Sequence, residues 1–254
     1  MPPPLLVPLA GAVILGVLVA VLTGPVLRRL PGRTPEGSRL HDGDPLPGPA
    51  APPGLFGEAI PDDAPPHYPA LATRGFALAC GGLGAAASLT ALALAPAPWL
   101  PLWLVWSTAF ALLVSIDART TWLPLRLTHM VWGLGSVAVI LALLPLSGRA
   151  AAPADLVRVL LGGLASGLFY LVLWRLGHGL GFGDVRISPL IGALGASVSW
   201  TGWWVALVAG SLLGALWGIA RILTGRRGPF AYGPWMWLGP AASLLFDAAG
   251  PGLL

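Results

Sequence analysis

Residues 187–220, ISPLIGALGASVSWTGWWVALVAGSLLGALWGIA, run from Arg186 to Arg221 without one charged side chain. A bilayer crossing takes about 20 mainly apolar residues, so this run has room for one crossing and most of another. Similar charge-free intervals separate Arg74 from Asp117, Arg126 from Arg149, and Arg227 from Asp247. Over the whole chain 56% of residues are hydrophobic and 9% are charged, against roughly 25% charged in an ordinary soluble domain. The composition predicts an all-α, polytopic transmembrane helical bundle.

The apolar runs predict about eight spans, at 5–27, 71–95, 99–116, 128–147, 156–176, 187–200, 203–223 and 234–250. Ala95-Pro96-Ala97-Pro98 separates the second from the third, because proline restricts both itself and its predecessor. The run 187–200 is short for a crossing, and a tilted or partial helix broken near 197–202 is the alternative. Counting it as a span places Arg28, Arg29, Arg33, Arg39, Arg74, Arg119, Arg126, Arg175, Arg186, Arg221, Arg226 and Arg227 on one side. Only Arg149 and Arg158 then fall on the other, and the positive-inside rule makes the first side cytoplasmic. The first span has its arginines after it rather than before it, the reverse of a cleavable signal peptide, so a retained helix with its N-terminus outside is expected. The chain divides into an N-terminal region, 1–98, whose Pro/Gly-rich segment 28–70 reads as a flexible cytoplasmic loop, and a six-helix core, 99–254.

Several functions are disfavoured at once. The basic residues are all arginine and belong to short loops beside spans, which suits orientation and anionic lipid rather than nucleic acid. Cys80 is the only cysteine, so no internal disulfide or cysteine-rich zinc site is expected. His41, His67, His129 and His178 have no ligand spacing, and no metal is expected. Trp99, Trp103, Trp203, Trp204, Trp235 and Trp237 lie near predicted span ends and read as interfacial anchors.

The candidate chemistry lies in two acidic residues. Asp184 sits in Gly181-Phe182-Gly183-Asp184, and Asp117 ends an apolar run before Ala118-Arg119-Thr120-Thr121-Trp122-Leu123-Pro124. An ionisable group beside a membrane span is costly and marks a functional candidate. A single aspartate there is commonly only an interfacial cap or an arginine partner. Asp184 would then cap a helix beginning near Ile187, and Asp117 would pair with Arg119 or Arg126. The eight-span count, however, puts both aspartates at the same membrane face. Two carboxyls within hydrogen-bonding distance hold one proton between them. The ionised member takes a proton from water and the other donates to a peptide carbonyl. Gly181 and Gly183 allow close backbone approach or positive φ.

These stretches resemble the prepilin peptidases, membrane aspartic proteases also called type IV leader peptidases. The first matches on Asp117, Arg119, Thr120, Pro124 and the Leu127-Thr128 that follows. The second matches on Gly181-Phe182-Gly183-Asp184-Val185-Arg186 and the glycine-containing Ile191-Gly192-Ala193-Leu194-Gly195. A third, Gly228-Pro229-Phe230-Ala231-Tyr232-Gly233-Pro234, is similar to the stretch leading into the family's last helix. The resemblance covers about 99–254 and implies catalytic roles for Asp117 and Asp184, with Gly181, Gly183, Arg186 and Pro124 as supporting motif residues. It implies cleavage of pilin-like precursors at the cytoplasmic face of the cell membrane, between a short basic leader and the hydrophobic pilin helix. The peptidase step needs no cofactor.

The N-terminal third departs from the family pattern. Gly24 and Arg29-Leu30-Pro31 remain, and Tyr68-Pro69 reads as the end of a shortened loop, but the family's two Cys-x-x-Cys pairs are missing. The family links that region with N-methylation by S-adenosylmethionine, so that activity stays open here. A presenilin-like protease shares Gly-x-Gly-Asp but has its partner aspartate after a tyrosine, whereas Asp117 follows Ile116. An ion-coupled transporter or an inactive paralogue is the non-proteolytic alternative.

Overall fold

The computed structural model describes residues 6–30, 66–145, 150–176, 180–226 and 230–250. Eight helices run through them: α1 (Leu6–Arg29), α2 (Arg74–Leu94), α3 (Ala97–Thr120), α4 (Leu125–Ala142), α5 (Pro153–Leu176), α6 (Phe182–Val198), α7 (Trp200–Leu223) and α8 (Gly233–Ala249). All but α6 and α8 are long and apolar enough to cross a membrane by length and composition. The chain is a multi-pass membrane protein built as an all-α bundle. A short 3-10 turn, Tyr68–Leu71, precedes α2 and packs on α1. Most of the predicted flexible loop, 31–65, lies outside the described residues, as do Arg149, His178 and Gly228-Pro229.

Local chemistry explains where the helices stop. Pro96 separates α2 from α3 and Pro98 sits in the opening turn of α3, and Thr73 caps α2 by accepting from the Phe76 N–H at 3.2 Å. The break near 197–202 is real but falls between two helices: α6 ends at Val198, and the Ser199 hydroxyl caps α7 by accepting from the Gly202 N–H at 2.8 Å. α6 has 17 residues, about 25 Å of helix at 1.5 Å per residue. α1 continues two residues beyond the predicted 27, so Arg28 and Arg29 occupy its last turn, where a positive charge suits the helix dipole.

Glycines bring the helices together. A Cβ at Gly16 would meet Gly81 and Ala85 of α2, one at Gly162 would meet Ala196, and one at Gly192 would strike Ser166 and the Gly162 carbonyl. The facing pairs run in opposite directions along each helix pair, so neighbouring helices are antiparallel. The C-terminal ends of α1, α3, α5 and α7 therefore share one end of the bundle with the N-terminal ends of α2, α4, α6 and α8.

α3 is the most enclosed of the long apolar helices. It contains a π-turn at Trp106–Phe110. There the Trp106 indole N–H donates to the Trp237 carbonyl at 3.0 Å, and the Trp237 indole N–H donates to the Trp106 carbonyl at 3.0 Å. The two rings stack at 4.7 Å. The Trp103 indole N–H donates to the Ser197 hydroxyl at 2.9 Å. Trp99, Trp103 and Trp237 are thus buried in the core, which corrects their reading as interfacial anchors. Trp204, 60% exposed, faces outward.

The α5–α6 contact leaves no space for a larger residue. Gly192→Val should destabilise the bundle by about 1–3 kcal/mol, the usual cost of overpacking. The check is thermal unfolding in detergent, with Gly133→Ala as control, since nothing lies within 4 Å of a Cβ there.

Candidate active site

Asp117 lies in the last full turn of α3, on a buried face with Leu113 and Ile116. Its carbonyl accepts from the Thr121 N–H at 2.7 Å, which closes the helix. Thr121 is the one non-glycine residue with positive φ among the described residues, at 57°. A left-handed conformation costs an L-residue about 1–2 kcal/mol, so the turn after Asp117 is held under local strain. The Thr120 hydroxyl supports it, donating to the Ile116 carbonyl at 2.9 Å and accepting from the Trp122 N–H at 3.2 Å. Pro124 then caps α4, its carbonyl accepting from the Thr128 N–H at 2.9 Å.

Asp184 lies in the first turn of α6. The helix begins at Phe182 with Gly181 as its N-cap, not near Ile187 as expected, so Asp184 is inside the helix rather than ahead of it. Its N–H donates to the Gly181 carbonyl at 3.0 Å, and its carboxyl lies back over the Gly181 amide. A carboxylate in a helix's first turn is stabilised by the unpaired N–H groups and the dipole. Neither motif glycine has positive φ. Close approach explains Gly183 instead: a Cβ there would come within 2.8 Å of Leu123 Cδ1, in the segment after Asp117. The Arg186 guanidinium lies 4.7 Å from the Phe182 ring centroid, and the Arg186 carbonyl accepts from the Trp132 indole at 2.9 Å, joining α6 to α4.

The two aspartates, far apart in the chain, are brought together. Asp117 is 4% exposed and Asp184 is 7% exposed. Asp184 lies within the electrostatic field of Asp117. No ion pair joins Asp117 to Arg119 or Arg126 among the described residues. Asp117 Oδ2 is buried with no hydrogen-bond partner. The arginine-partner reading therefore fails for Asp117. Buried carboxyls that feel each other's charge do not both ionise cheaply, and the unsatisfied Asp117 oxygen is open to a polar reactant.

Sequence reasoning missed the hydroxyls around this pair. The chain has three tyrosines, and all three interact electrostatically with the aspartates: Tyr68 with Asp117, Tyr170 and Tyr232 with Asp184. Tyr170 and Ser211 share a hydroxyl–hydroxyl bond of 2.9 Å, and the Tyr232 hydroxyl donates to the Ser211 carbonyl at 3.1 Å. Burial, and secondarily the Asp117 charge, pushes the Tyr68 phenol up to about 12. Burial also pushes Tyr232 up, against the opposing effect of its Ser211 hydrogen bond and with the help of the Asp184 charge. The scarcity of tyrosine in so apolar a chain was the available signal.

The family model for the type IV leader peptidase family matches residues 103–219, a stretch that contains both aspartates. No curated protein and no solved structure matches the chain.

The Tyr68 shift has a sign that can be tested. A phenol that holds its proton more tightly in the folded state stabilises the fold below its ordinary value near 10. That contribution is lost as pH rises through 10 towards about 12. Thermal stability in detergent should fall over that window, and Tyr68→Phe should fall less steeply. Equal slopes would mean that Tyr68 ionises as freely as in an unfolded chain.

Proposed function

We propose, from the match of segment 103–219 to the type IV leader peptidase family, that this chain is a membrane aspartic endopeptidase that removes the leader of pilin-like precursors. The observation that carries the reading is the meeting of two buried carboxyls from separate helices, one of them with an unpaired oxygen. In the reaction, one carboxylate takes a proton from water as the water oxygen attacks the scissile carbonyl carbon. The other carboxyl gives its proton to the carbonyl oxygen. Collapse of the tetrahedral intermediate breaks the C–N bond, and the proton taken from water passes to the leaving amine. The proton belongs to the pair, so the acid and base roles are shared.

The six helices α3 to α8 form the catalytic unit in this reading. α1, α2 and the Tyr68–Leu71 turn cover it from the N-terminal side. The distribution of charge supports a cytoplasmic site. Arg28, Arg29, Arg74, Arg119, Arg126, Arg175, Arg186, Arg221 and Arg226 lie at the aspartate end of the helix order, and Arg158 lies at the other. Lysine- and arginine-rich ends stay on the cytoplasmic side. A precursor with a basic leader and an apolar helix would meet this end with its leader in water and its helix in lipid. S-adenosylmethionine-dependent methylation is left out of the proposal, because the cysteine-paired loop that the resemblance links with it has no counterpart in this sequence.

Co-expression with a tagged pilin-like precursor tests the reading by leader removal on a gel. The native protein should cut. Asp117→Asn and Asp184→Asn should insert normally yet lose activity by roughly a thousandfold, within the range for removing a general acid or base. Equal cleavage by all three proteins would make the aspartates structural.

A further inference from the structure

α7 carries glycines at every fourth position: Gly210, Gly214 and Gly218. Each accepts part of the segment that starts α8. A Cβ at Gly210 would lie 3.0 Å from the Met236 Cα, one at Gly214 would run into the Tyr232 ring, and one at Gly218 would sit 3.3 Å from Phe230 Cζ. The Tyr232 hydroxyl ties the same segment to the Ser211 carbonyl. The Tyr232 carbonyl accepts from the N–H groups of Trp235 and Met236 at 3.1 and 3.2 Å, starting the helix. Pro234 brings no N–H, so the Gly233 N–H is the first donor of α8.

That donor faces Asp117. A Cβ at Gly233 would lie 2.7 Å from Asp117 Oδ2, 3.5 Å from its Cγ and 3.4 Å from Ile187 Cδ1. Oδ2 is also the buried carboxyl oxygen that lacks a hydrogen-bond partner. A helix's N-terminal turn carries about half a positive charge, and here a 96%-buried carboxyl (4% exposed) is aimed at one. Asp184, by contrast, stands in the first turn of its own helix, α6. Two helix N-termini, rather than a cationic side chain, thus flank the dyad's shared negative charge.

We propose that Gly233 is a positioning residue for the dyad: seated by the α7 glycine stripe, its bare backbone lets the Asp117 carboxyl rest against the first turn of α8 and fixes the direction in which it faces the reacting groups. This deepens the peptidase reading and rests on it for its kinetic consequence alone. The contact itself can be measured without turnover.

The test uses the full chain in detergent. Infrared difference spectra would identify the carboxyl stretch that disappears in Asp117→Asn, and the same band would be followed in Gly233→Ala. The band should shift in frequency. With precursor peptide, kcat should fall by roughly 100-fold, the cost of about an ångström of misplacement. KM should stay within about twofold, because the loss is confined to the transition state. Gly133→Ala, on the open face of α4, should leave band and rate as in the native protein. If Gly233→Ala does not fold, Tyr232→Phe replaces it, removing only the bond to Ser211, and should displace the band by a smaller amount. An unshifted Asp117 band in the folded variant overturns the proposal. A shifted band in a protein that cuts no precursor upholds the positioning and overturns the peptidase reading.

Discussion

Helices in hydrocarbon gain little by burying apolar side chains against each other, because lipid is as apolar as leucine. Close backbone approach and buried hydrogen bonds must hold them. The bundle follows this constraint at its main interfaces. Gly162, Gly163 and Ser166 of α5 lie against Pro189, Gly192, Ala193 and Ala196 of α6; Gly195 of α6 abuts Gly202, Trp203 and Ala206 of α7; and Gly239 of α8 presses on the Ala206 carbonyl. Polar groups that enter the interior are paired in the Ser88–Ser107 hydroxyl bond of 3.0 Å and the reciprocal Trp106–Trp237 bonds, whereas Asp117 Oδ2 is left without a partner. Arg158 is satisfied at the far end of α6, donating to the Ala196 carbonyl at 2.6 Å while paired with Asp155.

The site is a consequence of that packing. The Trp106–Trp237 pair sets α3 against α8 within the bundle, and further along the same interface Asp117 meets Gly233. Leu123 against Gly183 locks the turn after Asp117 to the start of α6, bringing Asp184 close. The strained Thr121 turn is tolerated because the hydrogen bonds of Thr120 and Asp117 surround it. Each carboxyl is therefore held by an element whose own position depends on a side-chain-free contact elsewhere.

Much of this was legible in the residues. Apolar runs located all eight helices, because a charge inside hydrocarbon is costly enough to be rare there. Boundaries were less clear: Asp184 appeared to precede its helix because Gly181 and Gly183 look like loop residues, whereas the helix starts at Phe182 with Gly181 as its N-cap. The tryptophans misled for a related reason. Indole suits an interface, but it suits an interior equally when its N–H finds a carbonyl or a hydroxyl, and Trp103, Trp106 and Trp237 do so.

The amino-acid order alone determined the class of protein, the number of helices and the two acidic residues worth attention, since each follows from local hydropathy and short spacing. Tertiary structure alone decided that Asp117 has no arginine partner among the described residues, that all three tyrosines interact electrostatically with the carboxyls, and that the Gly233 backbone lies against Asp117. The reason is physical. Hydropathy is a property of each segment and can be read one segment at a time. The environment of a buried carboxyl is made by residues more than a hundred positions apart, and it exists only once the glycine contacts have set the helices side by side.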